Sequence, residues 1–380
     1  VRLTAVAAPG VLTGSVTGRE TFAAALAARG AEGDLLLSAD EEDFAAHLRS
    51  AAAGGEFLLI TGDDTPADDL LGGLLPRLGA TAVRLDLDPR APDRSTCLRR
   101  HVRHRGTGGL RSAVDDWYFH ATAPGTRRPY GPDPDQHGEL RLPPGPGPFP
   151  VAVLVHGGYW RSRWDADTTT AAAVDLTRRG FATWNVEYRR PDRHGWDATT
   201  ADVDAALSAL ADLDADLDAG LDLDRVVLLG HSAGGQLVTR LAADRAGGEP
   251  AGAASGPARV RPALTVSLAG CLDLHSIHAR ALSEGAVAAA LGGTPQERPE
   301  VYAASSPLAR VPVGSPLVVV CCRSDDPDLL DASRRFAAAA VAAGDDVTVV
   351  EEEGDHFSVI DPGSRVWAAV TAAVRARVQR

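Results

Sequence analysis

Four short stretches carry residue types that can do chemistry together: His156-Gly157-Gly158-Tyr159-Trp160, Gly230-His231-Ser232-Ala233-Gly234-Gly235, Ser324-Asp325-Asp326-Pro327-Asp328 and Gly354-Asp355-His356-Phe357. A serine hydroxyl is a weak nucleophile at neutral pH, so it needs a general base and a charge that orients that base. Ser232 stands among small residues directly after RVVLLG and before the helical run QLVTRLAADR, which predicts a tight strand-to-helix turn exposing its oxygen. His356 is the candidate base. Three aspartates crowd the preceding acidic loop; Asp325 is preferred as the orienting acid by its spacing from the strand before it and from Ser333 in the helix after it, and Asp326 is next. Asp355 adjoins the base, but an immediate neighbour in sequence rarely reaches the far nitrogen of the imidazole. The glycines after His156 let that loop approach a substrate, and the N–H groups of Gly158, Tyr159 and Ala233 are the expected oxyanion donors. The chemistry of such a set is transfer of an acyl group to serine and then to water.

Other residues are open to blander readings. Trp160, Trp164, Trp184 and Trp196 cluster around these stretches; Trp160 serves a substrate pocket or core packing equally well, whereas Trp184 is expected to pack. The aspartates between 212 and 224 resemble a calcium loop, yet the glycine falls one place late and Arg225 stands where a bidentate Glu is required, so a solvated helix end is expected. The cysteines are Cys97, Cys271, Cys321 and Cys322, a spacing that gives neither a disulfide framework nor a zinc site. Cys321 and Cys322, adjacent in a Val-rich run, should face opposite sides of a strand.

The elements that must position these residues alternate in type. VAVLV (151–155), FATWNVEY (181–188), RVVLLG (225–230), ALTVSLA (263–269), PLVVVCC (316–322) and DVTVVEE (346–352) read as strands, with helices at 166–179, 200–213, 233–244, 331–343 and 364–379. Continuous apolar strands imply burial on both faces, as in a doubly wound sheet. Before residue 116 shorter strands at 3–7, 35–37, 57–60 and 82–87 alternate with helices at 21–28, 42–53 and 67–75, so a small parallel α/β domain is expected. Between them, ATAPGTRRPYGPDPDQHGELRLPPGPGPFP (121–150) resists helix and central strand alike. The expected organisation is an α/β domain over 1–115, a Pro/Gly-rich junction and hydrolase start over 116–150, and a catalytic α/β domain over 151–380.

Composition excludes several functions. All 38 basic residues are Arg, so a lysine Schiff base and pyridoxal-phosphate chemistry carried by lysine are ruled out. A net charge of -13 argues against a general nucleic-acid or anionic-membrane surface. No apolar run approaches a membrane span, and Pro9 and Gly10 interrupt the start before a signal-peptide core forms. A reducing, cytoplasmic location, no metal, no cofactor and a small-molecule acyl substrate are the expectations.

From about Tyr130 onward the chain resembles the α/β-hydrolase superfamily, most closely its kynurenine formamidase-like and small carboxylesterase branches. The shared segments are HGGYW (156–160), NVEYR (185–189), GHSAGG (230–235), SPL (306–308) and GDHF (354–357). The chain order Ser232, Asp325, His356 is that of the superfamily, and HGGYW tilts the resemblance toward arylformamidases, which cleave the N-formyl amide of an aromatic amine, with a carboxylesterase, thioesterase or peptidase-like hydrolase, or an inactive scaffold, as the alternatives. Cys321-Cys322 departs from the His-Gly of many relatives. The first 115 residues resemble, more weakly, type II 3-dehydroquinate dehydratase through SADEEDFAAHLRSA (38–51), FLLITGDDT (57–65) and RHRGTGGLRSAV (103–114). That family's tyrosine base is missing, since the first tyrosine is Tyr118, and Asp86 stands about where its histidine is expected. The resemblance therefore implies a non-catalytic domain that forms a homo-oligomer or shapes the hydrolase entrance.

Overall fold

The computed structural model describes all residues except 13, 63–71, 74–76, 78–80, 89–97, 248–259 and 379–380. They form two compact units, Val1–Pro124 and Gly125–Arg380. The helix expected at 67–75 falls almost wholly outside the described residues, as does Cys97.

In the first unit, β1 (Arg2–Ala7), β2 (Glu32–Leu37), β3 (Phe57–Thr61), β4 (Ala82–Asp86) and β5 (Arg100–Val102) pair in parallel in the order β2-β1-β3-β4-β5. This is the flavodoxin-like order. Leu3, Ala5 and Ala7 of β1 join one apolar cluster and Val6 the other, so helices must cover both faces of the sheet. The helix Val16–Ala28 starts at Ser15, whose hydroxyl accepts the Gly18 N–H at 3.0 Å; Asp40 accepts the Asp43 N–H and starts Glu41–Ala53 in the same way. The three-residue β5 carries too little periodicity to be foreseen. The unit runs beyond residue 115 because the helix Gly109–Thr122 buries Leu110, Ala113, Val114 and Trp117 in its core.

The second unit holds an eight-stranded sheet of β6 (Thr126–Pro129), β7 (His137–Arg141), β8 (Phe149–Val155), β9 (Ala182–Val186), β10 (Leu221–His231), β11 (Leu264–Leu268), β12 (Leu317–Cys322) and β13 (Val347–Glu352). Their order is β13-β12-β11-β10-β8-β9-β7-β6; β7 pairs antiparallel with both β6 and β9, and the other pairs are parallel. Side chains alternate between two cores. Val151, Val153, Val226 and Leu228 enter one, and Ala152, Leu154, Val227 and Leu229 the other.

Two expectations change. The segment 121–150, expected to resist helix and central strand, contributes β6, an edge strand as that composition allows, where Pro129 leaves no ladder donor missing, and also β7 inside the sheet, whose Gly138 lies under the Trp184 ring, where a Cβ would come within 2.7 Å of it. The helix expected at 200–213 is two, Trp196–Ser208 and Leu210–Leu217. The aspartates that follow are occupied locally: Asp214 accepts the Leu221 N–H at 2.7 Å, and Asp222 holds the Asp224 N–H and Arg225.

Trp184 is fully buried, and its indole N–H donates to the Ala206 carbonyl at 3.0 Å. Trp184→Ala removes both ring and donor, and is expected to lower stability by about 3–5 kcal/mol, measured by urea unfolding. A loss below about 1 kcal/mol would mean that the ring does not anchor this core.

Candidate active site

The backbone at Ser232 has φ 54° and ψ −116°, a conformation that L residues adopt only under strain. The strain is imposed from both sides. Gly230 pairs with Val155 of β8 and Ser267 of β11, the Ser232 N–H donates to the Leu268 carbonyl at 2.9 Å, and the Ser232 carbonyl accepts the Cys271 N–H at 3.1 Å. The chain then turns at once into the helix Ala233–Ala246. No side chain fits the turn at Gly234, where a Cβ would lie 2.1 Å from the Val155 oxygen. The glycines around Ser232 are thus set by close backbone approach, and the serine stands at the mouth of a helix N-terminus.

His156 and Gly157 follow β8, the neighbour of β10, so the loop 156–160 lies beside the serine turn. A Cβ on Gly157 would meet the His231 oxygen at 2.7 Å and Ser232 Cβ at 2.8 Å. Gly158, Tyr159 and Trp160 all have positive φ. Among the described residues no protein group accepts the N–H of Gly158, Tyr159 or Ala233, so all three donors remain for a ligand. Support for this loop comes from NVEYR, a segment noted in the sequence only as a likeness. The Tyr188 hydroxyl donates to the His156 carbonyl at 3.0 Å and its ring stacks on His156 at 4.4 Å; Glu187, paired with Arg190, accepts the Ala166 N–H. Trp160 does not line an open pocket. It is 1% exposed, its N–H donates to Gln236 at 3.1 Å and it packs edge-on to Trp196, because the left-handed turn at Tyr159 and Trp160 directs the ring into the core.

The acids sort by occupation. Asp325 accepts from His356 Nδ1 at 3.0 and 2.9 Å, one contact to each carboxylate oxygen, and its side chain is almost fully buried. Asp326 instead caps the helix Pro327–Ala342 through the Asp328 N–H, Asp328 pairs with Arg280, and Asp355 holds the N–H groups of Phe357 and Ser358. The acid loop follows β12 and the histidine loop follows the adjacent β13, tied together by the Ser324 N–H to the Gly354 carbonyl at 3.0 Å. Holding Nδ1 leaves Nε2 as the imidazole nitrogen able to exchange a proton.

His231, just before the serine, was not singled out by sequence reasoning. It is buried, and its Nε2–H donates to the His356 carbonyl at 2.9 Å, which ties the histidine loop to the end of β10. Burial, reinforced by the neighbouring His356, lowers its pKa to about 3, and burial lowers that of His156 likewise to about 3. The serine side chain interacts with the Cys271 thiol, which burial pushes up to about 12 and keeps neutral. A Ser232–His356 hydrogen bond is not among those of the described residues; such contacts commonly tighten only around substrate. Cys321 and Cys322 do face opposite ways: Cys321 points towards Glu351, and Cys322 enters the core with Val318 and Val320.

Elsewhere among the described residues, Asp133, Asp135 and His194 bring three possible metal-ligand atoms within 4.8 Å of one another, but Asp135 is shared with Arg190 at 3.4 Å. No helix is long and apolar enough to cross a membrane, among the described residues.

A serine turn at the end of a central parallel strand, with acid and histidine loops on neighbouring strands of this order, defines an α/β-hydrolase. More narrowly, the chain belongs to the BD-FAE family, an esterase-type hydrolase family whose model matches residues 140–336. Similar solved structures include a truncated carbohydrate esterase from gut microbiota (TM-score 0.57, 18% identity, 67% of this chain and 96% of that one). A bacterial heroin esterase gives TM-score 0.56 at 20% identity over 71% of this chain and 90% of that one. A bifunctional GH43-CE protein of Bacteroides eggerthii matches at TM-score 0.56 and 19% identity over 66% of this chain, but only 34% of that chain is covered. Among curated proteins none matches.

The two buried neutral histidines make stability depend on pH with a definite sign. As pH falls through about 6.5 the unfolded chain takes up protons at both positions, while the folded chain does not until about 3. Stability should therefore fall with acidification over that window, by about 1.4 kcal/mol per pH unit for each histidine. Urea unfolding at a series of pH values should show a shallower slope for His231→Asn than for wild type. An identical slope would mean that His231 is already charged in the fold.

Proposed function

We propose that the protein hydrolyses a small carboxylic ester or N-formyl arylamide through an acyl-enzyme on Ser232, with no cofactor. His356 Nε2 takes the hydroxyl proton as Ser232 Oγ attacks the carbonyl carbon. Asp325 accepts from Nδ1, fixes the ring and stabilises the imidazolium. The N–H groups of Gly158, Tyr159 and Ala233 hold the oxyanion. The intermediate collapses as His356 passes its proton to the leaving atom; water, deprotonated by the same imidazole, then releases the acid and restores the serine.

The observation that carries this reading is the two-oxygen contact of Asp325 with His356, on loops after the adjacent strands β12 and β13 of the sheet whose β10 ends in the strained serine turn. Membership of the BD-FAE family, and neighbours named carbohydrate esterase and heroin esterase, favour ester chemistry. The HGGYW segment favours the aryl formamide, although burial of Trp160 removes any direct aromatic contact from that argument. For the first unit, the flavodoxin-like order and the pairing of Asp86 with Arg84 fit a dehydratase-like domain that has lost its chemistry and serves homo-oligomerisation. A clean monomer in light scattering would remove that role.

Turnover of p-nitrophenyl acetate and N-formyl-kynurenine, measured side by side, assigns the substrate: strong preference for the formamide supports the arylformamidase, and ester turnover alone supports a carboxylesterase. Ser232→Ala is expected to lower kcat about 10³-fold or more on either substrate. Asp325→Asn should cost about 10⁴-fold and Asp326→Asn less than about 10-fold. The reverse order would move the acid role to Asp326. If no substrate turns over and a fluorophosphonate probe leaves Ser232 unlabelled, the protein is instead a binding scaffold.

A further inference from the structure

Phe357 is the one exposed aromatic residue among the described residues; every other Phe, Tyr and Trp is buried or half-buried, whereas Phe357 is 54% exposed. It adjoins the proposed base. Its ring lies edge-on to His356 with centroids 5.6 Å apart and tilted against His231 at 5.7 Å, while the two histidine rings are themselves 4.9 Å apart. The backbone beneath is fixed: Asp355 accepts the Phe357 N–H at 3.0 Å, the Ser358 N–H at 2.9 Å and the Ser358 hydroxyl at 2.7 Å. A backbone fixed in this way lowers the entropic cost of binding to the ring it carries.

We propose that Phe357 is the platform on which a planar aromatic leaving group rests. The inference rests on the assignment of His356 as general base and acid, and deepens that reading by giving Phe357 the recognition of the aryl leaving group, in phenyl esters as well as aryl amides. The imidazole that accepts the serine proton delivers it to the leaving atom, so the leaving group departs past the imidazole. The exposed ring flanks that imidazole with centroids 5.6 Å apart, whereas Ser232 is packed on Cys271 and the end of β11. Aromatic rings pair well edge-on or offset at such separations, beyond the gain from burying their area.

The test compares phenyl acetate with hexafluoroisopropyl acetate, an alkyl ester of similar leaving-group acidity, so that intrinsic reactivity is matched. Phe357→Ala is expected to lower kcat/KM for phenyl acetate about 10-fold, mainly through KM, and for the alkyl ester less than about 2-fold. Phe357→Tyr should restore the aryl preference and Phe357→Leu should not. Equal losses on both esters would assign Phe357 to holding His356 in place, and no loss on either would make it an ordinary surface residue; each result overturns the platform. Phenol binding to the Ser232→Ala protein, followed by saturation-transfer NMR, needs no turnover and should weaken about 10-fold when Phe357→Ala is added. A wild-type protein that a fluorophosphonate does not label defeats the hydrolase reading, whereas an unchanged phenol affinity defeats the platform alone.

Discussion

The site depends on a single steric constraint, the close approach of the Ser232 turn to the ends of β8 and β11. With Gly234 pressed on the Val155 oxygen and Gly157 pressed on the His231 oxygen, the chain has one way to pass from strand to helix, and that way holds Ser232 at positive φ. Strain of this kind persists only where surrounding structure over-determines it. Here the determinants are ladder hydrogen bonds on both sides of β10 and the first turn of the following helix. The same crowding places the loop after β8 next to the serine, so Ser232 and the N–H groups of Gly158, Tyr159 and Ala233 are positioned by one set of contacts.

Electrostatics in this region is governed by burial. Two histidines and a thiol that could each carry charge are kept neutral by desolvation, leaving Asp325 and His356 as the paired ionisable groups of the site. Neutral His231 can still donate, and its bond to the His356 carbonyl fixes the loop without adding a competing charge. Neutral His156 likewise serves as a stacking partner for Tyr188 beneath the 156–160 loop, and the Tyr188 hydroxyl links that loop to the end of β9. The neighbouring ion pair, Glu187 with Arg190, holds the Ala166 N–H.

The exclusive use of arginine shapes how the acidic residues away from the serine turn are managed. Asp202 takes a two-point contact from Arg189, Asp273 and Asp331 share Arg335, and Glu351 is clamped by Arg323 and Arg334. A planar guanidinium suits such two-point contacts better than an ammonium. Around the acid loop this leaves Asp325 as the carboxylate committed to the histidine, its neighbours being engaged by caps and arginines.

Residue identity by itself determined the main strands and helices and the candidate residue types of the site. Apolar strand runs, the helix after Ser232 and the order of serine, acid and histidine are local patterns, because periodicity and turn chemistry are properties of neighbouring residues. The sequence preferred Asp325 over Asp326, but only the tertiary structure separated their tasks, since which carboxylate caps a helix and which meets an imidazole 31 positions away depends on the β12 and β13 register. Tertiary packing alone turned Trp160 into the core, recruited His231 as a tether, made strands of 126–129 and 137–141 and left Phe357 in water. These outcomes follow from partners far apart in the chain, such as Trp160 with Gln236 and Gly138 with Trp184, and no local pattern encodes a distance between them.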